Sequence, residues 1–181
     1  MFIAEKLRKR NIAEYLLYMW QVEDIIRANG CDMDALRRNY LSKFELPDPS
    51  RKEEFEQWYG NQVRMMHEEG KEEKGHLQIN KGVMSLLTDL HLQLLDSPKY
   101  PFYHAAYFKV LPFIVEVRAK GGDKDVPEIE TCFDVLYGVM ALKLQHKEIS
   151  RDTELAVADI TKFLGMLSGF YLKDKAGELD L

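Results

Sequence analysis

Residues 11–27, NIAEYLLYMWQVEDIIR, set the strongest limit on what this chain can fold into. Ile12, Tyr15, Leu16, Met19, Val22 and Ile26 recur at helical spacing. Leu17, Tyr18, Trp20 and Ile25 widen the apolar surface well past one stripe. A helix that is apolar on most sides must be enclosed by other elements or sit at an interface. Its surroundings are predicted to be helices, because 23 Leu and 8 Met stand against 23 Val, Ile and Thr together. Unbranched side chains keep their rotamer freedom in a helix, and β-branched ones lose it.

The rest of the chain divides at turn signals. The first predicted helix starts at Ala4 or Asn11 and ends at Ala28, before Asn29 and Gly30. Asp32 caps a second helix reaching Phe44. Ser50 with Glu53 reads as a capping box for a third, to Glu69. A fourth runs from His76 to Leu95, and a fifth from Pro101 to Lys120, stopped by Gly121 and Gly122. The sixth is predicted from Pro127 to His146. The seventh follows a Ser150 cap and ends at Asp174. The expected fold is all-α, a single antiparallel bundle of six to seven helices. One domain is expected over residues 1–174, with a loose tail at 175–181. In the seventh helix Gly165 and Gly169, four apart, suggest tight packing within the chain, with a dimer seam as the alternative.

Charge and motifs exclude several functions. With 25 basic and 30 acidic residues the net charge is -5, so no general nucleic-acid face is expected. No run of about 18 uncharged apolar residues predicts a membrane span. The basic start (Lys6, Arg8, Lys9, Arg10) is not followed by a signal-peptide pattern. Cys31 and Cys132 form no CxxC pair and read as structural, reduced thiols of a cytoplasmic protein. Only Glu73 and His76 match the Glu-x-x-His spacing of a di-iron bundle, across a glycine break. The pairs Glu53/Glu56 and Glu69/Glu72 lie ~24 Å apart on a continuous helix, too far to share magnesium. GxSxG and phosphate-loop motifs are absent. No cofactor and no metal are expected.

Two places hold polar groups in apolar surroundings. In the first predicted helix Glu14, Tyr18 and Gln21 share a face, and Glu23 follows. In the fifth, Pro112 frees a backbone carbonyl near His104, Tyr107 and Glu116. Each has a structural alternative: a satisfied hydrogen-bond network for the first, and a Glu116–Lys120 pair for the second.

Residues 11–27, with the later GHLQIN at 75–80, resemble an uncharacterised bacterial protein family of about this length. That family is a domain of unknown function. The resemblance implies a small all-helical cytoplasmic bacterial protein, and it implies no activity and no site residues. The expected function is a non-enzymatic binding or interaction module whose partner is another protein or a second copy of the chain. The alternative is a small-ligand-binding protein or enzyme, using Glu14, Tyr18, Glu23, His104, Tyr107 and Glu116.

Overall fold

The computed structural model describes residues 2–121 and 125–181, without the side chain of Phe2. Eight α-helices follow one another, and no strand occurs among the described residues. They are α1 (Phe2–Arg10), α2 (Ile12–Ala28), α3 (Met33–Asn39), α4 (Pro49–Glu68), α5 (Gln78–Asp96), α6 (Pro101–Ala119), α7 (Glu128–Leu144) and α8 (Arg151–Lys175). A short 3-10 turn, Leu41–Lys43, follows α3.

The fold class is the expected all-α one, with one more helix than the upper bound of seven. The extra helix arises at Asn11. Both predicted starts of the first helix are real, because Asn11 ends α1 and caps α2. Its Oδ1 accepts from the Ala13 N–H at 3.1 Å and from the Ser168 hydroxyl at 2.8 Å. Asparagine is a preferred residue for this role. The third predicted helix begins earlier than Ser50. Asp48 is the cap, accepting from the Arg51 N–H at 2.9 Å, and Pro49 occupies the first helical position. Ser50 instead donates to Asp48 Oδ1 at 2.6 Å. Ser150 does cap α8, accepting from the Thr153 N–H at 3.2 Å. Gly121, with φ +110°, follows the end of α6; Gly122 and Asp123 lie outside the described residues.

The chain forms two compact units: Met1–Lys9 with Glu14–Val83, and Arg10–Ala13 with Met84–Leu181. The core of the first joins Val22 and Ile26 of α2, Leu36 of α3, and Phe55, Tyr59, Val63 and Met66 of α4. Tyr40, Phe44, Phe55, Trp58 and Tyr59 make successive ring contacts, with centroids 4.9–5.9 Å apart. Edge-to-face pairs at these distances add to plain area burial. The turn after α2 carries two left-handed residues, Gly30 (φ +66°) and Cys31 (φ +53°). Only the first is free of a Cβ penalty. The Cys31 strain is offset where its carbonyl accepts from Nε2–H of His67 at 2.9 Å.

In the second unit α8 packs on α6 and α7. Phe133 of α7 and Ile160, Phe163, Leu164 and Leu167 of α8 are buried. Alone among the described residues, α8 is a helix long and apolar enough to cross a membrane by length and composition. Here those buried residues face the core. Gly165 and Gly169 do not mediate tight packing within the chain, because a β-carbon added at either would meet nothing of it within 4 Å. Helix α6 continues through Pro112.

The cap assignment is testable. Asp48→Ala should cost about 1 kcal/mol in urea unfolding, whereas Glu53→Ala should change stability by less than about 0.5 kcal/mol. The reverse order would restore the Ser50–Glu53 capping box.

Candidate functional site

Helix α2 turns by 100° per residue, so Glu14 and Glu23, nine residues apart, point to opposite sides. Glu14 is exposed, and Glu23 is fully buried. The Glu23 carboxylate accepts from three donors where the chain enters α5. The Leu77 N–H and Asn80 Nδ2 bind Oε1 at 2.9 and 2.6 Å. Nδ1–H of His76 binds Oε2 at 2.6 Å. Such short bonds to a carboxylate are the strong class. The His76 ring stacks on Trp20, with centroids 4.2 Å apart and planes inclined by 13°. Nearby, Arg27 donates to the carbonyls of Lys71 and Gly75 and pairs with Asp24 at 2.8 Å. The third predicted residue of this helix, Tyr18, is half-buried and shares a hydrogen bond with Tyr59. Burial raises both phenols above their ordinary value, so both stay protonated.

One further turn toward the start of α2, Met19 and Tyr15 share the Glu23 side of the helix and line a cleft of about 310 Å³. Its other walls are Ala4, Glu5 and Arg8 of α1, Trp58 and Gln62 of α4, and Ile79 of α5. The volume is at the lower end of small-molecule sites, roughly 300–1,000 Å³. Gln62 is 6% exposed, and its Oε1 has no hydrogen-bond partner. A buried carbonyl left this way is rare, because it loses water and gains nothing in return. Glu5 is paired with Lys9 at 2.7 Å. Arg8 lies over the Tyr15 ring, 5.5 Å from its centroid, and among the described residues no carboxylate pairs with it. Thus the cleft has aromatic and aliphatic walls, one unmatched cation and one unanswered amide.

The remaining predicted residues lie in the second unit, each with its own partner. Nε2–H of His104 donates to the Leu94 carbonyl at 2.8 Å. The Tyr107 hydroxyl donates to Glu128 at 2.7 Å. Glu116 is exposed and pairs with Lys120 at 2.5 Å, the structural alternative foreseen for it. The polar group at the centre of this region is His91. Its Nδ1 shares a hydrogen bond with the Tyr103 hydroxyl at 2.8 Å, and Tyr107 and Phe163 contact its ring. Burial lowers the His91 pKa to about 4, against the opposing pull of Glu128. The thiols are quiet: burial raises Cys31 and pushes Cys132 up to about 12. Among the described residues no three His, Cys, Asp or Glu side chains gather to hold a metal ion.

The cleft residues were missed as a site, yet one signal for them was present. Gln62 falls three residues after Tyr59 and seven after Phe55, on the buried stripe of α4. A polar side chain at a core position is the informative exception.

A family model described as Domain of unknown function (DUF4924) matches residues 1–178. No curated protein matches the chain. No solved structure matches it either.

Two measurements check this account. Glu23→Ala leaves two buried donors, the Leu77 N–H and Asn80 Nδ2, unanswered and should cost roughly 2–5 kcal/mol in urea unfolding. Glu23→Gln, which keeps one acceptor, should cost clearly less; equal losses would show that the donors do not depend on the carboxylate. Separately, the unfolded chain protonates His91 near pH 6.5, whereas the fold holds it neutral to about 4. Its contribution is therefore complete above pH 6.5. It falls as pH drops from 6.5 toward 4, by at most ~1.4 kcal/mol per pH unit. His91→Gln should flatten that slope, and an unchanged slope would mean His91 is charged in the fold.

Proposed function

The chain belongs to the DUF4924 family, and we propose that this member is a non-enzymatic helical binding protein that holds a small molecule in the cleft of its first unit. One observation carries the reading: Gln62, a lining residue of the cleft, has an amide oxygen buried just behind the cleft surface with no hydrogen-bond partner among the described residues. A polar group held dry at a stability cost is what a ligand site needs before the ligand arrives. The lining supplies walls and hydrogen bonding, and it contains no cysteine, no histidine and no pair of facing carboxylates. That set suits retention better than chemistry. Fragment screening by protein-observed NMR tests the reading. Hits should shift the amides of Tyr15, Trp58, Gln62 and Ile79 together. A library of several hundred fragments with no hit at these positions overturns it.

A second reading, self-association through α6, rests on a different observation. Phe102, Phe108 and Val115 are 84%, 62% and 58% exposed on a helix whose other face holds the buried Tyr103, Val110 and Ile114. The charges among them are already matched, Lys109 by Asp159 at 2.6 Å and Glu116 by Lys120 at 2.5 Å. A second copy of the chain can therefore cover this face without stranding a charge. Sedimentation equilibrium at tens of micromolar should then show a dimer that Phe108→Asp dissociates. A monomer throughout that range removes this reading and leaves the cleft untouched.

A further inference from the structure

We infer that the cleft of the first unit takes a small planar organic carboxylate that also carries an N–H or O–H donor. This rests on the cleft being the binding site and adds the class of ligand. Charge comes first. Of the two ionised side chains in the lining, Glu5 is answered by Lys9, so Arg8 is the unmatched one. One free guanidinium beside apolar walls suits a single negative charge better than a phosphate, which would bring nearly two. The walls come next. Trp58 offers ring surface and Ile79 aliphatic surface, while the buried Tyr15 and Met19 close the back of the cleft. Ile79 is 45% exposed at the cleft, an apolar area that a flat ligand would cover. The hydrogen bond comes last. Gln62 Oε1 is an acceptor buried behind the cleft surface and has no partner among the described residues. The final torsion of a glutamine is soft, so the amide can turn toward a donor in the cleft.

Indole-3-acetate and indole-3-acetamide share shape and N–H and differ in charge, which makes them suitable probes. Titration calorimetry on the full chain should show the acetate binding about fivefold tighter than the amide, the size of an exposed ion pair. Arg8→Met should abolish that difference and leave the amide's affinity in place. Gln62→Leu should weaken both probes and raise the melting temperature of the free protein by roughly a few degrees, because it removes an unsatisfied buried oxygen. Equal affinity for the two probes overturns the charge assignment and leaves the cleft reading standing. If neither probe binds at millimolar concentration, both fall. A lower melting temperature for Gln62→Leu would make the amide a structural group and overturn its role in binding.

Discussion

A carboxylate removed from water must be answered by the protein around it, and much of the first unit is arranged to answer Glu23. Its two oxygens collect a backbone N–H, a side-chain amide and an imidazole, all from residues 76–80. The entry to α5 is thereby fixed on α2, where helix ends otherwise leave unpaired N–H groups. Two consequences follow from this placement. His76 is held flat on Trp20. Ile79, between the two amide donors in sequence, comes to line the same cleft as Tyr15 and Met19 from α2. The same contact that closes the core also builds part of the cleft.

The helices were legible in the sequence because their signals are local. Period, caps and breaks place α4 to α8 within about two residues. The differences have local causes too. Asn11 reads as one of two starting points, but the sequence does not say that both are used. That depends on Ser168, 157 residues away, meeting its side chain. At Asp48 the competing Ser50 cap was a sound motif that lost to an aspartate followed by proline.

The site was less legible. Glu23 lies four residues from Met19 and three from Ile26, on the buried stripe, and that spacing distinguishes it from Glu14. What it meets there is set by the loop before α5, which no periodicity describes. His104 and Tyr107 likewise have visible chemistry and hidden partners, whereas the Lys120 partner of Glu116 is readable from i, i+4 spacing. Gln62 and Arg8 carry no motif at all. Their interest comes from what they lack among the described residues, a carboxylate for Arg8 and a hydrogen-bond donor for Gln62 Oε1, and only coordinates show that.

One wall of the cleft is α1, and its nature has a thermodynamic consequence. At nine residues it is shorter than the roughly 12–15 that an isolated helix needs to persist in water. Among its described side chains only Ala4 is buried. Such an element opens at far lower free energy than the core behind it. An occupant touching Ala4, Glu5 and Arg8 therefore binds the ordered form of α1 and not the frayed one. Its affinity is the intrinsic one scaled by the fraction of molecules with α1 in place. For the proposed ligand, occupancy and helix order are then one linked equilibrium, and anything that steadies Phe2–Arg10 would strengthen binding without touching the ligand.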